Sequence, residues 1–304
     1  MNDSFDLSPP ALHVLPPDAP LAGASTARRA ALLALARSEP EAKVAAARAL
    51  ATSRLPIGAD ESLTPSDWPG RPERPRLVSP RELERRSMSS VAGRAALLHA
   101  LAHIEFNAID LALDAVARFD GLPEAFYRDW LGVAGEEAFH FTLLQDRLAA
   151  LGHAYGDFPA HDGLWEMALK TRGEVLARMA IVPRTLEARG LDASPPIRAK
   201  LAQAGDHESA AILDVILRDE IGHVAIGNRW FRHLAARAGV APLALYESLA
   251  QRYGAPRPKG PFNLAARRQA GFDDDELAAL TGEPNRTSAG ALVGRVGGAD
   301  DDAR

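Results

Sequence analysis

The sequence predicts an all-α protein built on an antiparallel bundle of four long helices. Hydrophobic residues recur at helical spacing over most of the chain, strong helix formers such as Ala, Leu, Arg and Glu are abundant, and no segment alternates as a β-strand does. Proline, glycine and N-cap residues divide this pattern into long helices with short links, which favour antiparallel neighbours. We expect further helices and extended segments before and after the bundle.

Residues 1–80 are predicted to form an N-terminal arm, a helical segment and a proline-rich connector. Residues 1–25 are rich in proline and small residues, whereas residues 26–53 are dense in helix formers and predict one or two helices. Residues 54–80 contain six prolines, which remove backbone donors and predict an extended connector. We expect Trp68, Leu77 and Val78 to anchor this connector to the protein surface.

The bundle itself is assigned to residues 81–239. Its first helix is expected to start after Ser79, because an N-cap serine, a proline and Glu82 form a capping pattern there. The third helix is expected to stop at Gly190, and Asp206 should cap the fourth. The four helices are predicted over residues 80–119 (with a break near 87–90), 123–152, 164–189 and 195–236.

The remainder of the chain is predicted to be a helical extension followed by a tail. Residues 240–283 carry two helical patterns, over 241–253 and 274–280. Residues 284–304 are rich in Gly, Ala and Asp and are expected to be disordered.

Composition restricts the chemistry that the chain can perform. The 304 residues include no Cys, which excludes disulfides, thiolate zinc sites, cysteine-ligated clusters and thiol nucleophiles. Any metal must therefore be held by His, Asp, Glu, carbonyl groups or water. The formal charge of −5 gives no general attraction for nucleic acid. The N-terminus lacks a secretory pattern and no apolar run approaches a bilayer span, so we expect a cytoplasmic protein that does not enter the membrane.

Two Glu-x-x-His motifs stand out, Glu137 to His140 and Glu220 to His223. Residues three apart on a helix point the same way, so each motif presents one carboxylate and one imidazole together. With 18 Glu and nine His in the chain, random placement would give on average roughly 0.5 Glu-x-x-His motifs. Two motifs alone are therefore only mildly unexpected.

The pattern becomes more specific because each motif is preceded by a lone helical glutamate at a matching distance. Glu105 lies 32 residues before Glu137, and Glu187 lies 33 residues before Glu220. Their neighbours at helical spacing are apolar, and a carboxylate is costly to bury unless it is paired or metal-bound. The chain thus predicts a dimetal site in which two divalent ions neutralise four carboxylates. Its candidate ligands are Glu105, Glu137, His140, Glu187, Glu220 and His223.

The donor set favours iron, with manganese or a mixed pair as the alternative, because it offers carboxylates and imidazoles without thiolate. A single zinc would leave three of the six residues unexplained. We assign Glu137 and Glu220 as bridges, Glu105 and Glu187 as terminal or bridging carboxylates, and one histidine to each metal. The competing interpretation is that these are ordinary buried ion-pairing residues.

Several segments resemble a known family. Between residues 68 and 280, six segments are similar to a bacterial family of ferritin-like proteins of unknown function: HALAHIEFNAIDLALDAVARF, DWLGVAGEEAFHF, YGDFPAHDGLWEMA, VPRTLEARGLD, DEIGHVAIGNRWF and KGPFNLAARRQAGF. This resemblance implies a ferritin-like bundle with a di-iron or related dimetal site, and it covers all six candidate ligands. At the level of the fold it is also similar to the isopentenyl-adenosine tRNA hydroxylases, which is an analogy and does not identify an activity.

These observations lead to a functional expectation with one alternative. We expect an oxidoreductase that uses two irons and dioxygen to hydroxylate or oxidise a small organic substrate, with an electron-donor protein and a homodimer as further partners. The alternative is a ferroxidase, iron-handling or peroxide-detoxifying protein. A tRNA substrate has weak support, since the arginines of residues 71–86 are interleaved with glutamates and favour a solvated helix start.

Other residues near the predicted site have two interpretations. Pro183 should kink the third helix. The kink either opens space beside the metals or has no functional consequence. Arg184 is expected to form an ordinary ion pair, and the alternative is that it steadies a carboxylate or a substrate anion. For Tyr127 and Trp130, core packing is favoured over a redox role.

Overall fold

The computed structural model describes residues 23–84 and 87–282. The all-α prediction is confirmed, because these residues contain no strand and their isolated β-pairing is a single bridge between Leu77 and Ala160. Three parts of the chain lie outside the described residues: the predicted arm up to residue 22, the arginines Arg85 and Arg86, and the predicted tail. The helices are α1 (Ala27–Leu35), α2 (Pro40–Ala51), α3 (Val91–Arg118), α4 (Glu124–Ala150), α5 (Gly163–Lys170), α6 (Val175–Ile181), α7 (Ala188–Gln203), α8 (His207–Ala238), α9 (Pro242–Tyr253), α10 (Leu264–Gln269) and α11 (Asp274–Thr281).

Helices α1 and α2 and the connector pack on α3 and α4 through apolar residues of the core, and buried cations add hydrogen bonds. The Arg28 side chain is fully buried and donates hydrogen bonds to the carbonyls of Val116 and Ala117 in the last turn of α3, at 2.9 and 2.8 Å. The expected anchoring of the connector by apolar side chains is wrong at two positions, since Trp68 is 55% exposed and Leu77 is 38% exposed. Ile57 is the buried apolar anchor of the connector, and polar contacts add to it, such as the bond from Lys43 Nζ to the carbonyl of Gly70 at 2.6 Å.

The first long helix begins later than its capping pattern predicts. The capping box of Ser79 and Glu82 forms, but it closes only a short 3-10 turn, Pro80–Glu82. Helix α3 starts at Val91, where the Ser90 hydroxyl accepts a hydrogen bond from the amide of Gly93. The serine-rich break is therefore the true helix start, and a good cap does not fix how far a helix extends.

Helix α3 also has the length and mean hydropathy of a membrane span. Its most apolar 18-residue window has a mean hydropathy of 1.3, and 72% of that window is buried inside the protein. This burial is what the core helix of a water-soluble protein shows.

The third predicted helix differs most from expectation. It is interrupted between α5 and α6, passes through a π-helical turn over Val182–Glu187, and continues as α7 to Gln203. The predicted stop at Gly190 is wrong, and Pro195 and Pro196 lie inside α7.

Distant residues explain why α7 persists. Pro195 has no amide hydrogen for the carbonyl of Leu191, and the side-chain amide of Asn263 donates to that carbonyl instead, at 3.3 Å. Arg267 donates to the carbonyl of Ala188 at 3.2 Å and pairs with Asp192 at 2.6 Å. The segment around α10, whose helix was not predicted, thus stabilises the start of α7.

Helix α8 starts at His207, so the predicted start of the fourth helix near residue 195 is wrong, whereas its end at Ala238 lies close to the predicted residue 236. The Asp206 carboxylate caps it by accepting from the amide of Ser209, and Gly239 ends it at a positive φ of 68°. Arg94 of α3 and Arg147 of α4 also pair with Asp206, at 3.1 and 2.8 Å. Helix α3 packs along α4 and α7 packs along α8, so the two predicted Glu-x-x-His helices, α4 and α8, meet between these pairs.

Candidate metal centre

The predicted ligands come from four elements of the fold. Glu105 lies on α3, Glu187 is the last residue of the π-helical turn, and the two Glu-x-x-His motifs lie on α4 and α8. One ligand atom from each member of a buried group of four can be chosen so that all lie within 4.8 Å of one another. This group consists of Glu105, Glu137, His140 and Glu220.

The two imidazoles face a common carboxylate. His140 Nδ1 lies 3.4 Å from Glu137 Oε2 and also 3.4 Å from Glu105 Oε2. His223 Nδ1 lies 2.9 Å from Glu137 Oε1 and 3.7 Å from Glu220 Oε1. Glu137 therefore points one oxygen toward each histidine, and the two rings are 5.8 Å apart between centroids.

Glu187 has a buried carboxylate oxygen and lies within electrostatic range of the cluster. Besides burial, the charges of Glu220 and Glu137 raise the pKa of Glu187 well above its ordinary value, while His223 acts in the opposite direction. Measured contacts thus connect five of the six predicted ligands, Glu105, Glu137, His140, Glu220 and His223, whereas Glu187 is related to them through the charges that act on its pKa.

Many polar atoms of this region have no protein partner. His223 Nδ1 and Glu137 Oε1 are 2.9 Å apart, but neither has a hydrogen bond of acceptable geometry among the described residues. A buried polar atom without a partner is costly, and a cation between such atoms removes that cost. The donor set therefore fits divalent metal. The unpartnered atoms in this region are Glu105 Oε2, Glu137 Oε1, Glu187 Oε2, Glu220 Oε2 and His223 Nδ1.

The pKa values of the cluster reflect the burial of several carboxylates beside one another. Burial, with the charge of Glu137, raises the pKa of Glu105 well above its ordinary value and raises that of Glu220. Burial opposes the charged form of Glu137 too, but His223 and His140 hold its pKa well below the ordinary value. Without metal, the carboxylates compete for protons, and bound cations would displace those protons.

Two further carboxylates, which we call the outer carboxylates, complete the site. Burial alone would lower the pKa of both histidines, yet neighbouring carboxylates hold these pKa values well above the ordinary range. His140 Nε2 lies 3.1 Å from Asp219 Oδ2, and His223 Nε2 lies 2.6 Å from Glu136 Oε2. Each outer carboxylate thus contacts the histidine of the opposite helix, an arrangement that fixes a ligating imidazole with its other nitrogen toward the metal.

Sequence analysis did not identify the outer carboxylates, although a signal was present. An acidic residue stands directly before the glutamate of each motif, in Glu136-Glu137 and in Asp219-Glu220. On a helix the preceding residue points about 100° away, so it cannot serve its own motif but can reach the neighbouring helix.

The π-helical turn aims Glu187 and replaces the predicted kink at Pro183. Pro183 lacks an amide hydrogen, and the Thr185 hydroxyl donates to the carbonyl of Ala180 at 2.8 Å. The turn also fits closely against α8, because a β-carbon on Gly227 would lie 2.5 Å from Cβ of Pro183. A glycine on one helix and a proline on the other thus set the position of Glu187.

The other residues considered in the sequence serve the scaffold. Arg184 forms a buried ion pair with Glu276 at 2.5 Å, as favoured. The Tyr127 hydroxyl donates to the carbonyl of Phe119 at 3.1 Å within the core, and Trp130 is also buried.

Two charged residues of the arginine-rich segment 71–86 form contacts within the protein. Arg71 forms a bidentate pair with Asp162 at 2.6 and 2.8 Å, and Glu82 belongs to the capping box.

Comparison with known proteins agrees with the resemblance in part. Residues 36–278 match a family described as "Protein of unknown function (DUF455)". A protein of Haemophilus influenzae described as "Uncharacterized protein" is 50% identical over 215 residues, which cover 68% of this chain and 74% of that protein. No solved structure matches the chain. Because the matched region spans most of the sequence and includes the whole buried Glu/His cluster, the chain belongs to the DUF455 family of proteins of unknown function.

Proposed function

We propose that this protein binds two divalent metal ions, iron in preference to manganese or a mixed pair, and acts as a cytoplasmic oxidoreductase on a small organic substrate. The observation that carries the proposal is the position of Glu137, which directs one oxygen toward each of two buried histidines. Four carboxylates balance the charge of two divalent ions, and carboxylate with imidazole suits iron or manganese. A ferritin-like relationship remains part of this proposal.

Each group of residues has a distinct role in this proposal. Glu105 and His140 would hold one ion, Glu187 and His223 would hold the other, and Glu137 and Glu220 would be shared between them. The outer carboxylates keep each imidazole oriented with Nδ1 toward its ion. Two iron(II) ions, when bound, would supply two of the four electrons that reduce dioxygen, and the oxidised substrate would supply the other two.

Metal binding is tested directly by stoichiometry. Purified protein, reconstituted anaerobically with iron(II), should hold about two irons per chain by elemental analysis. Glu137→Ala should lose both ions, because it removes the shared carboxylate, whereas His140→Ala should retain more metal. His233→Ala is the matched control, since His233 is an exposed histidine on α8 outside the cluster, and it should keep both ions. Wild-type protein with well under one metal per chain would end the proposal.

Iron handling without an organic substrate is the second candidate function. Its basis is the same donor set, which can also oxidise iron(II) as a ferroxidase does. Rapid mixing of the iron(II) protein with dioxygen separates the two candidates. A slow reaction that a candidate substrate accelerates favours the oxidoreductase, whereas fast turnover that yields only ferric mineral contradicts it.

A further inference from the structure

A cavity of about 740 Å³ lies where the C-terminal extension meets the π-helical turn. Its walls are formed by Arg184, by α9 and the residues that follow it, and by α11. None of the six proposed metal ligands lines it. Cavities of this volume commonly hold small molecules, so this cavity is a candidate site separate from the metal centre.

The cavity wall combines apolar surface with an excess of positive charge. The rings of Tyr246 and Phe272 form part of the wall, with apolar side chains from α9 and α11 beside them. Three guanidinium groups line it against two carboxylates, which leaves one net positive charge. The charged lining residues are Arg184, Arg257, Arg267, Glu247 and Glu276.

Two of the guanidinium groups retain unused donors. Arg257 is exposed, and the described part of the chain shows no ion pair or hydrogen bond to its side chain. Arg184 is 3% exposed and bonds Asn228 and Glu276 through its terminal nitrogens, but its Nε has no partner there. An acidic group of a ligand would find donors in this wall.

The same wall contacts the chain on both sides of Glu187. Arg184 lies three residues before Glu187, and the Tyr246 hydroxyl lies 3.1 Å from the hydroxyl of Thr185. Arg267 donates to the carbonyl of Ala188, the residue that follows Glu187. A molecule that displaces these side chains would move the backbone that positions Glu187.

We propose that this cavity binds a small organic carboxylate with an apolar body, and that its occupancy changes the metal affinity of the position formed by Glu187 and His223. The carboxylate pairs with Arg257, and the apolar body packs against Tyr246 and Phe272. The coupling rests on the proposed metal centre, whereas the binding site does not. Such coupling is reciprocal, so bound metal changes the affinity for the carboxylate by the same factor.

The binding site is tested on metal-free, full-length protein by isothermal titration calorimetry. Three probes separate the features of the ligand: benzoate, benzylamine with the opposite charge, and inorganic phosphate without the apolar body. Benzoate should bind once per chain and at least tenfold more tightly than either of the others. If benzoate shows no binding up to about 10 mM, or binds no better than benzylamine, the site is refuted.

Variants locate the binding. Arg257→Ala should weaken benzoate binding at least tenfold, and because the residue is exposed this variant should fold. Ala250→Trp should fill the cavity and abolish binding. Arg237→Ala, an exposed arginine at the end of α8, is the control and should bind as wild type does. Benzoate binding that Arg257→Ala leaves unchanged would place the probe elsewhere and overturn the proposal.

The coupling is then measured with iron(II) or manganese(II) titrations in the presence and absence of saturating benzoate. One of the two metal affinities should change, by about 5- to 150-fold for typical coupling, and the other should not. Benzoate binding with both metal affinities unchanged would refute the coupling and leave the site. If the wild type binds no metal, the proposed function fails, while the metal-free titrations still decide whether the site exists.

Discussion

The contact between Gly227 and Pro183 provides a sharp test of how Glu187 is positioned. A β-carbon at residue 227 would lie 2.5 Å from Cβ and 2.7 Å from Cγ of Pro183, which is closer than atoms in a packed core approach. Gly227→Ala should therefore push the π-helical turn away from α8. Because Glu187 ends that turn, the metal position that it shares with His223 should weaken.

The expected stability change has two opposing parts. Replacing a glycine within a helix by alanine stabilises it by about 1 kcal/mol. Inserting a methyl group into a filled space costs about 1–3 kcal/mol. Gly222→Ala is the matched control on the same helix, since a β-carbon there meets nothing within 4 Å. Gly222→Ala should be more stable than wild type, and Gly227→Ala should be less stable than Gly222→Ala by about 1–3 kcal/mol.

Both variants are compared by urea unfolding of the metal-free protein, followed by iron(II) reconstitution and elemental analysis. Gly227→Ala should be less stable than Gly222→Ala and should lose about one metal per chain, whereas Gly222→Ala should retain both metals. If Gly227→Ala matches Gly222→Ala in stability and in metal content, the close approach of Pro183 to α8 does not position Glu187.

Three other predictions test separate features. Asp219→Asn and Glu136→Gln should each lower metal affinity by about 10- to 100-fold, because an outer carboxylate orients each histidine; unchanged affinities in metal titrations would contradict that role. Burial lowers the pKa of His99 to about 4, so the unfolded chain binds this proton first, and His99 alone should lower the free energy of unfolding by about 1.4 kcal/mol for each pH unit as the pH falls from 6.5 to 4. In urea unfolding across this range His99→Gln should lose that contribution, and a pH slope equal to that of wild type would refute the assignment. Lys43→Met should destabilise the protein by about 3–5 kcal/mol, because it leaves the buried carboxylate of Asp110 unpaired, and adding Asp110→Leu should restore much of the loss; a double variant as unstable as Lys43→Met would argue against this explanation.

Local sequence signals predicted those parts of the fold that depend on neighbouring residues. The cap at Asp206 lies where short-range rules place it, because the amide that it accepts from belongs to Ser209, three residues away. The grouping of Glu105 with the two motifs was likewise predictable. Its evidence was a carboxylate on an otherwise apolar helix face, which burial makes costly.

Features that depend on distant residues could not be read locally. Helix α7 continues past Gly190 and through Pro195 because Asn263 and Arg267, more than 70 residues later, satisfy its carbonyl and carboxylate groups. Similarly, Asp219 gains its role only when α8 lies beside His140. Short-range propensity carries no information about either partner.

The crossed outer carboxylates make the two halves of the chain dependent on each other. His140 is oriented by Asp219 from the second half, and His223 is oriented by Glu136 from the first. Neither half therefore contains a complete binding unit, even though each carries its own Glu-x-x-His motif. Bound metal would link the α3–α4 pair to the α7–α8 pair. Removal of metal by a chelator should therefore weaken the packing between the two pairs, and metal should bind only when both pairs are folded against each other.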